Sequence, residues 1–86
     1  ISSSSSSKHY ALSQKVVVLS GSRDKELEKR IKSVGGIIGS SVSSKTFAVI
    51  TPDVNSGSSK VMTAKSLSIP VMTPSAFSDA YFATLS

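Results

Sequence analysis

The stretch Lys15-Val16-Val17-Val18-Leu19-Ser20-Gly21 constrains this chain more than any other. Its consecutive apolar residues, mostly β-branched, read as a strand buried on both faces, since a solvent-facing side would impose alternation. The run stops at Ser20-Gly21, and a charged, helix-favouring segment follows. A buried strand that feeds a helix through a small-residue turn is the first half of a βαβ unit. In open α/β sheets, ligands gather at the carboxyl ends of such strands. Ser20 and Gly21 are therefore the first candidate functional residues.

The 86 residues suffice for one small domain. With 38% hydrophobic residues, the chain fills one core but not a large enzyme cleft. It has no cysteine, so neither disulfides nor thiolate metal sites staple it. A single histidine, His9, excludes a histidine metal cluster and argues against a Ser-His-Asp triad. The expectation is no cofactor and no metal. No apolar run approaches membrane-spanning length and no signal-peptide pattern is present, so no membrane partner and an intracellular location are expected. Net charge is +5, which suits a polyanionic partner without demanding one.

Residues 1–14 read as a flexible Ser-rich linker, because Ser2 to Ser7 bury no apolar surface. A chain cut from a longer protein is expected, with His9 a solvated linker residue and Leu12 the first to touch the domain at 15–84. After Gly21, Leu27, Ile31 and Val34 form a helical stripe with Ser22 as N-cap. Acids lie early and bases late, with Glu26–Arg30 and Glu28–Lys32 as i,i+4 pairs. Gly35 ends this helix with positive φ, and Gly36 allows close backbone approach. Ile37-Ile38 and Thr46 to Ile50 are strands. A helix over Ser59 to Leu67 turns Val61, Ala64 and Leu67 inward. Ile69 to Met72 is a short strand that Pro70 assigns to an edge. Thr73 caps a last helix that begins at Pro74, with Phe77, Ala80 and Tyr81 inward. Of the pair Tyr81-Phe82, one residue is expected in the core and its neighbour partly buried. The core is expected to hold Val17, Leu19, Leu27, Ile31, Phe47, Val49, Ala64, Leu67, Val71 and Phe77. The order β-α-β-β-α-β-α, with right-handed crossovers, gives an α/β fold with helices on both faces of a small parallel sheet.

From Lys15 to Phe82 the chain resembles a BRCT domain. The resemblance rests on the strand ending in Ser20-Gly21, on Gly35-Gly36, on Val42-Ser43-Ser44-Lys45-Thr46 and on Ser59-Lys60 with Ala64. It extends to Ser68-Ile69-Pro70-Val71, with Phe77 where many members carry Trp. The tail is most similar to the subclass found in NAD-dependent DNA ligases, the clamp-loader large subunit and the poly(ADP-ribose) polymerases. Ser68 replaces the usual Gly, and Phe77 replaces the Trp. The implied fold is a four-stranded parallel sheet of order 2-1-3-4. Its first and third helices share one face, and its second helix covers the other.

The resemblance makes Ser20, Gly21 and Lys60 a phosphate-binding set. A phosphate needs converging donors and positive charge. Ser20 offers a hydroxyl, Gly21 an unobstructed amide, and Lys60 a cation near a helix N-terminus. The competing reading makes Ser20-Gly21 a tight turn and Lys60 a solvated lysine. Arg23 and Lys25, near the same strand end, are DNA-contact candidates by resemblance and solvated helix-end charges otherwise. Gly35, Gly36 and Phe77 are structural. Residues Gly39 to Thr46 imitate a P-loop but lack its second glycine and enter a strand, which rules out triphosphate hydrolysis.

The expectation is a non-catalytic interaction module of a nuclear DNA repair or replication protein. Its partners would be repair and replication proteins, including phosphorylated ones. The alternative is DNA binding, especially to 5′-phosphorylated ends, through the same pocket. Any catalysis would belong to a parent chain such as a DNA ligase or an ADP-ribosyltransferase.

Overall fold

A computed structural model describes residues 12–20 and 24–82. The elements run β1 (Val16–Leu19), α1 (Lys25–Ser33), β2 (Ile37–Gly39), β3 (Thr46–Ile50), α2 (Ser59–Ser66), β4 (Val71–Met72) and α3 (Pro74–Phe82). All strand pairs are parallel, and the sheet order is β2-β1-β3-β4. The expected α/β architecture and strand order are both present. Pro70 does precede an edge strand, where a missing N–H costs no ladder bond.

Strand β1 sorts its side chains by alternation. Val17 packs in a core layer with Leu27 and Ile31 of α1, Ile50 of β3, and Phe77 and Phe82 of α3. Val18 packs in a second layer with Val49 and with Ala64 of α2, next to Ile69. Both valines are fully buried. The first and third helices thus share one face and α2 covers the other.

The register between β1 and β3 slips once. Val16 pairs with Thr46 and Val17 with Ala48, so Phe47 is an extra residue. Such a bulge re-aims a side chain. Phe47 accordingly reaches the α1/α3 layer, edge-on to Tyr81 at a 5.9 Å centroid distance.

Several expectations need correction. Helix α1 begins at Lys25, and Asp24 rather than Ser22 caps it, accepting from the Leu27 amide at 3.2 Å. Glu28–Lys32 is an ion pair at 3.5 Å, whereas Arg30 leaves Glu26 and lies over the Phe82 ring. That aromatic face sits in the core layer that α1 packs against, so the guanidinium gains cation–π contact there. Leu67 is 39% exposed, because α2 ends at Ser66 and the cap residue turns out of the stripe. Ala80 is exposed, and the larger Phe82 takes the inward place beside Phe77. Leu12, expected to touch the domain, is 1% exposed and belongs to the core, so the packed unit includes part of the segment 1–14. Residues 12–15 form a turn there, with the Gln14 amide bonded to the Gly35 carbonyl. Val18, Ile50, Val61 and Ile69 complete a core that the expected set lacked in part.

Both α1 and α2 end in a Schellman motif. Gly36 N–H donates to the Ile31 carbonyl at 2.8 Å and Gly35 N–H to that of Lys32 at 3.1 Å. In parallel, Ile69 N–H donates to the Ala64 carbonyl at 2.7 Å and Ser68 N–H to that of Lys65 at 3.1 Å. The left-handed position is Gly35 (φ 86°) in one motif and Ser68 (φ 61°) in the other. Gly36 has a second role: a Cβ there would meet the Ile31 side chain and sit 2.8 Å from its carbonyl oxygen.

Ser68→Gly is expected to stabilise the domain by about 1 kcal/mol, and Gly35→Ala to destabilise it by a similar amount, since left-handed backbone costs an L-residue roughly 1–2 kcal/mol. Urea unfolding midpoints at constant slope read both effects. A Ser68→Gly variant no more stable than the unchanged chain would remove the strain at that position. The helix starts give a second contrast. Asp24 and Thr73 each cap a helix through the side chain, whereas the buried Ser58 hydroxyl bonds nothing among the described residues. Asp24→Ala and Thr73→Ala should each cost about 1 kcal/mol, and Ser58→Ala close to nothing.

Candidate functional site at the carboxyl edge of the sheet

Parallel pairing sends the carboxyl ends of β1, β2 and β3 to one edge of the sheet. Ser20 continues the ladder there. Its amide donates to the Ile50 carbonyl at 2.7 Å, and the residue is 9% exposed. Lys60 reaches the same edge as the second residue of α2, and it is half-buried. A cleft of about 290 Å³ at this edge is lined by Leu19, Glu28, Ile38, Gly39, Ser40 and Lys60. Leu19 immediately precedes Ser20. The fold therefore brings Lys60 to the end of β1, although forty positions separate Lys60 from Ser20 in the chain.

The first turn of α2 adds unpaired backbone donors. Met62 N–H is the first to find an intrahelical acceptor, the Ser58 carbonyl at 2.9 Å. The preceding amides and the positive end of the helix dipole favour an anion beside Lys60. Among the described residues, no carboxylate lies within ion-pair distance of Lys60.

Gly21 and Arg23 lie outside the described residues. Lys25 is the exposed first residue of α1 and does not line the cleft. Gly35 and Gly36 do the structural work described above, and Phe77 is fully buried, stacked on Tyr81 at 4.6 Å. Tyr81 is partly buried and Phe82 is in the core, as expected. The segment Gly39 to Thr46 enters β3, and Thr46 Oγ1 accepts from the Ser43 amide at 2.8 Å.

Ser40 and Glu28 are cleft residues that the sequence reading missed. Ser40 follows β2, and in a parallel sheet the end of β2 must arrive beside the end of β1. That rule was sufficient to find it. Glu28 is the expected partner of Lys32, and the same residue also lines the cleft. A larger cleft of about 530 Å³ is lined by Asp24, Pro74, Ser75, Ser78 and Asp79. Its two carboxylates would repel phosphate, so the larger cleft is the poorer candidate for an anion. Among the described residues, no helix is long and apolar enough to cross a membrane.

A family model described as the BRCA1 C Terminus (BRCT) domain matches residues 8–80. Among solved structures, the chain is similar to the crystal structure of S. pombe Rad4 BRCT3,4, with a TM-score of 0.63 and 13% sequence identity. That match covers 91% of this chain and 45% of the Rad4 chain, so this chain spans less than half of that structure. At 13% identity the likeness concerns the fold. No curated protein matches the chain.

Cleft side chains that hold no packing role should be replaceable. Lys60→Ala and Ser40→Ala are expected to shift unfolding free energy by no more than about 0.5 kcal/mol. Thermal melts of both variants check this, and a large loss in either would show that the residue serves the fold.

Proposed function

Because the chain belongs to the BRCT family, we propose that it is a non-catalytic interaction module of a nuclear DNA repair or replication protein, and that it binds a partner through a phosphoserine or phosphothreonine. BRCT domains are in general binding modules rather than catalysts. The observation that carries the reading is the shared cleft: Lys60 and the residue before Ser20 line it together. The Ser20 hydroxyl, the Gly21 amide and the Lys60 ammonium supply the donors and charge that a phosphate monoester needs. The free amides at the start of α2 add to them. Membership of the ligase, clamp-loader and poly(ADP-ribose) polymerase subclass is part of this proposal, on the resemblance of the tail around Ser68 and Phe77. A parent chain of that kind would hold any catalytic activity.

A second reading is DNA binding at a 5′-phosphorylated end. It is favoured by the net charge of +5 and by the exposed Lys25, Lys29, Arg30 and Lys32 of α1. Arg23 and Lys25 would be its contacts.

Fluorescence anisotropy with a phosphoserine peptide library and its unphosphorylated counterpart tests the first reading. Phosphopeptides should bind, and Lys60→Ala should weaken them roughly ten- to hundredfold, the value of a hydrogen bond to a charged group. Unchanged affinity in Lys60→Ala would misplace the pocket. For DNA, duplexes with and without the 5′-phosphate should differ if ends are read. Equal affinity with a steep salt dependence would leave plain charge attraction.

A further inference from the structure

The cleft has walls of both signs. Lys60 lines it, and so does Glu28, whose side chain is 28% exposed. The Glu28 carboxylate has one ionic partner among the described residues: Lys32, at 3.5 Å, 61% exposed, on the outer surface of α1. That contact is long and solvated, so it neutralises Glu28 weakly. Lys60 does not neutralise Glu28 either, because the two are not within ion-pair distance. A site for a bare phosphate gains nothing from a carboxylate in its wall, since like charges disfavour each other. The cleft also exceeds a phosphate. About 290 Å³ equals the volume of roughly ten water molecules, room for a phosphoryl group and part of a neighbouring side chain.

Resting on the phosphopeptide reading above, we propose that Glu28 is a specificity residue. The cleft takes a phosphoserine or phosphothreonine that has an arginine or lysine close beside it in the same peptide. Lys60 holds the phosphate, and Glu28 accepts hydrogen bonds from the neighbouring cation. Ser40, the residue after β2, lines the same cleft. The molecule's overall positive charge makes this preference local: the net field of +5 repels cations, so a basic neighbour is tolerated only where Glu28 compensates. A nucleic-acid end has no cation to offer, and Glu28 opposes its phosphates. The same carboxylate therefore favours a peptide over DNA.

Three ligands separate the outcomes: a phosphoserine peptide with an adjacent arginine, the same phosphopeptide with alanine there, and a 5′-phosphorylated duplex. Affinities are measured for the unchanged chain, Glu28→Gln, Lys32→Ala and Lys60→Ala, with circular dichroism confirming the fold of each. The arginine peptide should bind the unchanged chain about three- to fivefold tighter than the alanine peptide. Glu28→Gln should erase that preference and strengthen the alanine phosphopeptide and the duplex. Lys32→Ala, which frees Glu28, should widen the preference. Equal binding of the two phosphopeptides, with both still dependent on Lys60, overturns the role of Glu28 and leaves the phosphate pocket standing. Phosphopeptide binding that is absent or indifferent to Lys60→Ala overturns the pocket and this inference together. Preference for the duplex over both peptides overturns the choice of partner.

Discussion

Burial of β1 on both faces is the constraint from which the rest follows. Val17 and Val18 are adjacent in the chain and point to opposite sides, and neither retains solvent contact. Each such side chain contributes about 1.5–3 kcal/mol on burial, so neither face can be left open. Covering both needs a helix layer on each side, α1 with α3 on one and α2 on the other. The chain supplies those helices as α1 between β1 and β2, α2 between β3 and β4, and α3 after β4. The polar end of β1 then has one place to go, the carboxyl edge of the sheet, where Ser20 is held by its bond to Ile50.

Departures from regular geometry do much of the shaping. The extra residue at Phe47 lets β3 direct both Phe47 and Ile50 into the layer shared by α1 and α3. Regular alternation would separate them. The paired Schellman ends do equivalent work for the helices. Each turns the chain within two residues and delivers it to the next strand, and each sets a small or apolar residue against the helix it leaves. Ile69 seals the second motif by packing on Ala64 in the α2 layer. It takes over the position that the stripe spacing had assigned to Leu67.

The carboxyl edge collects chemistry that is dispersed in the chain. Lys60 comes from α2, Ser40 from the end of β2, Glu28 from α1 and Ser20 from β1. A cation, a carboxylate and hydroxyls at a parallel-sheet edge are the chemistry on which the proposed recognition role rests. In the proposed reading, the positive net charge would supply long-range attraction for a phosphorylated partner, and the mixed walls would set which one fits best.

The amino-acid sequence by itself determined the architecture. The apolar run at Val16, the Gly35-Gly36 exit and the Thr73-Pro74 start each impose a local geometry through side-chain burial, positive φ or a fixed ring, and these geometries agree with one another. It also made Ser20 and Lys60 candidate site residues, through the resemblance to the BRCT family. Tertiary structure decided what depends on rotation and register. Whether Leu67 or Ile69 enters the core turns on where α2 stops. Which residue caps α1, and whether Arg30 faces Glu26 or the Phe82 ring, depends on surfaces from distant segments. That Ser40 lies near Leu19 follows from the pairing of β2 with β1, and that Glu28 and Lys60 join them follows from how α1 and α2 pack on the sheet, which no local pattern encodes.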